Sequence, residues 1–466
     1  MEGRDDSKWR GRNPSHGSAS ADMIAFRGGA YAGRQGKARE GTVAELPVAD
    51  TSTPTDLPAG AESTPDEKQG LLTSLTRYRA YRFLWSSAVL TQIGQWMLQI
   101  TLGWVMLQLT DSAAYVGLIG FASGLPFILV SIPAGVLIDR IDRRRILLIS
   151  NAIALAVGFC LALLVSLGHV QPWHLLLAAL INGCALAVNN ATIQTMVPSY
   201  VERDHLQNAI AVMSAGQNST RILGPSLGGP AIALLGAAGA LYVQSAVLLA
   251  ALLITLVLPS VKPVIRTLDI WRNIGEGLRF VVRSPILSGL IILAAVPSLL
   301  IFPYVQLLPI YARDILHIGA GGLGLLLSAG GTGAVAGSLV VAGPIKFRRP
   351  GLIMLIGAFV YVFFTVAFAY SVWVVATVLL LFGCGFIGSA FMSLNNTLLH
   401  LHLTDEMRGR VMGIYTLTWG MSTLGAWPMG ILGDLIGVPS AVAAGSILTG
   451  IGTVLIALRW RVLRTI

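Results

Sequence analysis

Chemically capable side chains are sparse in this sequence, and many of them fall in one short stretch. Gly135-Val136-Leu137-Ile138-Asp139-Arg140-Ile141-Asp142-Arg143-Arg144-Arg145 puts four arginines and two aspartates into a loop of about seven residues between the apolar runs 113–138 and 146–168. A carboxylate such as Asp139, at the end of one helix, can accept hydrogen bonds from the free amides that begin another. Arg140, Arg143 and Arg144 can pair with acids or hold the loop on one side of a bilayer. Gly135 can let neighbouring backbones approach closely. Gating and pure topology are both open readings of this loop.

A second set lies inside apolar runs. Gln92, Gln95 and Gln99 recur at spacings of three and four, with Trp96 beside them, so they share one helical face. Polar side chains in lipid are costly, which turns that face into the protein. It can line a substrate cavity or tie helices together by hydrogen bonds. Asn189 and Asn190, and Asn395 and Asn396, pose the same choice. Arg221 lies about 20 Å into its apolar run by helical rise. A cation there needs carbonyls, asparagines such as Asn218, or an anionic substrate group. Gly224-Pro225 and Gly228-Gly229 suit a hinge, a tight seam or plain packing. No enzyme site is readable: there is no phosphate-binding Gly-Lys-Ser/Thr loop, no Cys/His metal spacing and no nucleophile elbow. Cys160, Cys184 and Cys384 all fall in apolar spans and suggest no disulfide or metal framework. No cofactor is expected.

The elements that position these residues follow from composition. The 466 residues are 54% hydrophobic and 12% charged, with mean hydropathy +0.72. A soluble domain carries about 25% charged residues, so the chain reads as an all-α polytopic membrane protein. The net charge of +10 could suggest nucleic acid, but its placement argues against that. Of the 32 Lys and Arg, 18 fall in loops of one side and the C-terminus, 12 in the N-terminal stretch up to Arg82, one (Arg221) in a span and one (Arg313) on the other side. That is positive-inside topology, with both termini cytoplasmic.

The chain divides in order. Residues 1–75 are polar and aperiodic and read as a disordered cytoplasmic tail, not a signal peptide. Six apolar spans follow within 76–258, at about 83–108, 113–138, 146–168, 172–198, 207–235 and 239–258. Residues 259–285 read as an amphipathic linker helix along the inner face, with Leu268, Trp271, Ile274, Leu278 and Val281 at helical spacing. Six more spans fill 286–466. The halves echo each other: Gly135 and Arg143–Arg145 correspond to Gly337 and Lys346-Phe347-Arg348-Arg349, and Asn189-Asn190 to Asn395-Asn396. Two matched six-helix bundles around a midplane cavity are the expected architecture.

The pattern Gly-x-Leu-x-Asp-Arg-x-x-Arg-Arg-Arg resembles the loop between helices 2 and 3 of the major facilitator superfamily. Asp142 stands where that family usually has glycine. Arg221-Ile222-Leu223-Gly224-Pro225-Ser226-Leu227-Gly228-Gly229, Leu308–Asp314 and Arg408–Met412 resemble its drug and siderophore exporter branch. The resemblance implies a secondary exporter of a small amphipathic molecule in the inner (plasma) membrane, proton-coupled and monomeric. It also implies that Asp139 caps helix 11 near Arg408–Val411 and that Arg143 pairs with Glu202 or Asp204 when the cytoplasmic side is shut. A proton carrier wants a titratable group in the cavity, and the predicted spans hold no carboxylate. Uptake, facilitated diffusion and a non-transporting sensor are the alternatives.

Overall fold

The computed structural model describes residues 73–261, 270–343 and 349–464. The N-terminal tail, Lys262–Asp269 of the linker and Lys346–Arg348 of the second basic loop lie outside the described residues. All of the described structure belongs to the compact unit Lys68–Ile466.

The described residues form helices and no strand. The long ones are α1 (Arg79–Thr110), α2 (Ala113–Arg140), α3 (Arg143–Ser166), α4 (Pro172–Tyr200), α5 (203–235), α6 (237–256), α7 (Pro285–Ile315), α8 (Gly319–Ala342), α9 (Pro350–Ala369), α10 (Val374–Leu401), α11 (Asp405–Ile436) and α12 (Val438–Arg459). Length and apolar composition alone mark nine helices of the described chain as able to cross a bilayer. One of the nine, Arg203–Leu256, is two, because Gly236 (φ 70°, ψ 177°) turns the chain between α5 and α6. With α1 and α11, whose spans carry more polar residues, the described residues form twelve membrane helices.

Local chemistry sets the ends. Pro172, Pro285 and Pro350 occupy first-turn positions, where the missing amide costs nothing. Gly437, at φ 87°, separates α11 from α12. Asp142 caps α3, accepting from the Arg144 amide at 2.8 Å, and its other oxygen takes the Ser260 hydroxyl beyond α6. Desolvation alone would push this carboxyl up. The bonds from Ser260 and from the Arg144, Arg145 and Val261 amides outweigh it and hold Asp142 below the ordinary carboxylate range. The departure from the family pattern at this position thus acts as a helix cap. Helix α1 begins at Arg79, earlier than the span expected from about residue 83, with Tyr78 as its extended N-cap. The α7 span ends in 3-10 and π turns over 302–315, where Pro303 and Pro309 interrupt the α pattern.

The two halves meet along α2 with α11 and α5 with α8, and glycine makes these contacts possible. A Cβ on Gly229 would lie 2.6 Å from the Gly324 Cα, and one on Gly331 would lie 2.7 Å from the Arg221 carbonyl oxygen. On α2, Gly117 and Gly124 sit against Ala426 and Thr423 of α11. All of these lie toward the end away from the arginine-rich loop. At the arginine-rich end, a Cβ on Gly135, Gly409 or Gly413 would meet nothing within 4 Å. Gly135 therefore makes no close approach here, contrary to the expectation from sequence. The described close approaches of α2 are made by its other glycines.

Gly229→Leu should therefore strain backbone against backbone and cost about 1–3 kcal/mol, read as a lowered thermal midpoint of the purified protein. Gly135→Leu should leave that midpoint near the parent value.

Candidate functional site

Between the halves, on the closed side, lies a small cavity of about 20 Å³, room for about one water. Trp96, Gln99, Ile100 and Gly103 of α1 form one wall. Val305, Gln306 and Pro309 of α7 and Leu323 and Leu327 of α8 form the other. The lining is apolar with two amides and no ionisable side chain. Trp96 carries a buried indole N–H with no hydrogen-bond partner. A buried donor without an acceptor costs free energy that a ligand acceptor would recover. Gln306 was not singled out from sequence: it stands alone in an apolar string, so no spacing marks it. Its proximity to the α1 face comes from packing of the two halves.

The glutamine face of α1 divides by depth. Gln99 lines the cavity and Gln92 is half-buried. Gln95 is committed elsewhere: its amide N–H donates to Asn182 of α4 at 3.1 Å, and Asn182 donates back. The substrate-lining expectation for Gln95 is thus replaced in this structure by a tie between helices. A larger buried network lies below it. Asn151 of α3 accepts from Asn189 of α4 at 2.9 Å and from Thr91 of α1 at 3.3 Å, and donates to Thr255 of α6 at 3.2 Å. Thr255 pairs in turn with Ser87 at 2.7 Å. Asn151 joins four helices, yet in sequence it is one asparagine near the start of an apolar run. The repeat counterparts behave differently. Asn395 is buried and donates to the Leu290 carbonyl at 2.9 Å, whereas Asn190 and Asn396 are half-buried and none of the cavity walls includes them.

The Gly-Pro-x-x-Gly-Gly stretch works as a two-sided seam. Gly224 receives the Trp96 side chain and Gly228 packs on Met97 and Ile100, both of α1, while Gly229 and the Pro225 carbonyl press on Gly324 of α8. Backbone angles stay helical through 224–229, and the described break comes later, at Gly236. The seam sets the position of Trp96 beside the cavity. Arg221, one turn earlier, packs its carbonyl against Gly331 and is partly buried.

The arginine loop is arranged differently from the resemblance. Arg143 donates to the Thr195 carbonyl at 3.0 Å and reaches the Ser199 hydroxyl at 3.5 Å, not Glu202 or Asp204, which are exposed. The last turn of α4 has orphan carbonyls and a negative dipole end, a ready partner for a guanidinium. Arg144 similarly takes the Leu256 carbonyl at the end of α6, and Arg140 is exposed. Asp139 makes no hydrogen bond to the described residues of α11. At the opposite end Arg313 ties the halves, bonding Asp111 at 2.7 Å and the Leu107 carbonyl at 3.0 Å. The described residues contain no cluster of His, Cys, Asp and Glu able to hold a metal.

Asn151→Leu should strand the polar groups of Asn189 and Thr255 and cost about 1–3 kcal/mol. Thermal unfolding in detergent checks it, with Gln99→Leu expected to leave the midpoint near the parent value.

Comparison with known proteins agrees with this architecture. A family model described as "transmembrane secretion effector" matches residues 73–465. The chain is 24% identical over 373 residues to a staphyloferrin A transporter of Staphylococcus aureus, covering 77% of this chain and 90% of the relative. It is 26% identical over 394 residues to an enterobactin exporter of Citrobacter koseri, covering 83% and 92%. It is 27% identical over 356 residues to the multidrug efflux pump Tap of Mycolicibacterium fortuitum, covering 73% and 84%. Among solved structures, an inward-facing bacterial homologue of the human lysosomal transporter Spinster superposes with a TM-score of 0.65 at 14% identity, covering 83% of this chain and 96% of that one. The nucleoside transporter NupG gives 0.64 at 17%, covering 82% and 98%. The twelve-helix fold, the inter-half cavity and the match over nearly the whole described chain agree: this protein is a membrane transporter and belongs to the transmembrane secretion effector family of the major facilitator superfamily.

Proposed function

We propose that the chain is a secondary active exporter that moves a small amphipathic organic molecule, of drug or siderophore type, by alternating access. The observation that carries this is the cavity between α1, α7 and α8. It is apolar, amide-bearing and free of ionisable lining, and it lies beside a helix pair joined at one end and parted at the other. At about 20 Å³ the cavity holds only a water in this conformation, and its lining, once the halves move, suits a molecule with an apolar body and hydrogen-bond acceptors. Relatives named as siderophore and multidrug exporters support the direction and the substrate class. The arginine-rich end is placed in the cytoplasm by charge asymmetry, so the protein stands open to the cell interior and shut outside. The gating role assigned to Asp139 and Arg143 belongs to the other state, in which α2 returns to the start of α11. Proton coupling fits the family pattern, with carboxylates at the rims as the available carriers.

Accumulation of a panel of amphipathic dyes and drugs, in cells with and without the protein, tests the proposal. Cells making it should hold several-fold less of at least one compound, and a protonophore should abolish the difference. Equal accumulation across the panel overturns export, and accumulation raised by the protein points to uptake. For a transported compound, Trp96→Phe or Gln306→Leu should weaken apparent affinity about tenfold, the worth of one lost hydrogen bond in a dry site. Asp139→Asn should lower transport about tenfold at normal protein level.

A further inference from the structure

We propose that Asp434 is a positioning residue for the transport cycle: it shuts the far end of the carrier by capping α2, in opposition to Asp139 at the other end of the same helix pair. The inference rests on the alternating-access reading above and adds the element that holds the closed end.

The geometry is direct. One Asp434 carboxylate oxygen accepts from the Ser112 hydroxyl at 2.5 Å and the Ala114 amide at 3.1 Å, and the other accepts from the Ala113 amide at 2.6 Å. Ser112 and α2 belong to the first half and Asp434 to the second, so all three bonds cross the seam. The first amides of α2 have no partner within their own helix and mark its positive end, where a carboxylate is favoured. Asp434 sits in the last turn of α11, which ends at Ile436. A negative charge there opposes the dipole of its own helix. The position makes physical sense through the neighbouring helix it caps.

Asp139 repeats the arrangement from the other side. It lies in the last turn of α2, which ends at Arg140. The two helices run antiparallel and touch through Gly117, Gly124, Gly420 and Gly430. Each therefore carries an aspartate at its C-terminal end beside the other's N-terminal end. Rigid helices rocking about their shared contact cannot seat both carboxylates at once. Here Asp434 is seated and Asp139 makes no bond to the described residues of α11. The Arg313–Asp111 pair lies at the same end, and the Asp111 side chain and Asp434 are both exposed to solvent. Asp434 differs from that pair in bonding two amides fixed in the first turn of α2, where the helix dipole also favours it.

The test uses the full-length chain with Cys160, Cys184 and Cys384 replaced by alanine and Gln306→Cys as a cavity reporter. Oriented membrane vesicles are labelled with an impermeant maleimide from either side. Asp434→Asn should raise the labelling rate from the Asp434 side about five- to tenfold and lower it from the Asp139 side. General loosening would raise both. Asp434→Glu should keep close to the parent rates, and the double variant Asp139→Asn/Asp434→Asn should return to within about twofold of them. Parent rates for Asp434→Asn, or a rise from both sides, would overturn the proposal. Should Asp434→Asn fail to accumulate, Ser112→Ala must show the same two-sided shift at about twofold, and its absence counts equally against the idea. Labelling reads the balance of conformations and not flux, so a failure of the drug-panel experiment would leave this result distinguishable.

Discussion

Backbone must touch backbone across this molecule, and glycine is what permits it. In lipid, apolar side chains gain little by leaving one apolar surface for another, so helices associate through close packing and polar ties. The contacts of Gly229 with Gly324, of Gly331 with the Arg221 carbonyl, and of Gly333 and Gly337 with the Phe382 and Phe386 carbonyls have this character. Where the halves are pressed together they meet through such positions. Where equivalent glycines face open space, as at Gly135, Gly409 and Gly413, the halves stand apart. Closeness at one end and separation at the other are two sides of the same constraint.

Polar ties fill the remaining role, and they are unequally shared. The first half is bound internally by Asn151, Asn189, Thr91, Thr255 and the Gln95–Asn182 pair. These bonds hold α1 rigidly among α3, α4 and α6. The same α1 presents Trp96 and Gln99 to the cavity. A wall fixed in this way can move only as part of its half, as rigid-body rocking requires. On the other wall, α7 leaves regular α-helical geometry between Phe302 and Ile315, the segment that supplies Val305, Gln306 and Pro309. Irregular backbone at membrane depth is tolerated where it lines a cavity or is buried in protein.

Charge lies at the ends. The basic loop is anchored by helix C-termini, with Arg143 on α4 and Arg144 on α6, while Asp142 caps α3 and holds Ser260. In this conformation the loop is built into the first half. Asp139 makes none of these bonds.

Much of this was legible in the chain itself. Apolar run lengths, the asymmetry of Lys and Arg, the break near residue 236 and the echo between halves follow from one-dimensional rules, because a helix in lipid must satisfy its own backbone and span a set thickness. The shared face of Gln92, Gln95 and Gln99 was equally plain, since 3.6-residue periodicity is local. What each member of that face does was not: Gln95 meets Asn182 and Gln99 meets the cavity because of where α4 and α7 pass. Gln306, Asn151 and Asp434 were invisible as a set for the same reason, each being one polar residue in an apolar or terminal context whose partners lie far away in sequence. The acidic partner expected for Arg143 came from the family resemblance and concerns the state with the cytoplasmic side shut; in this structure Arg143 takes the carbonyls of a helix end. Sequence by itself determined the number and order of the helices and which faces could turn inward. Only tertiary structure decided which end is shut, since that depends on three hydrogen bonds across some 320 residues of chain and on glycine contacts that no local pattern encodes.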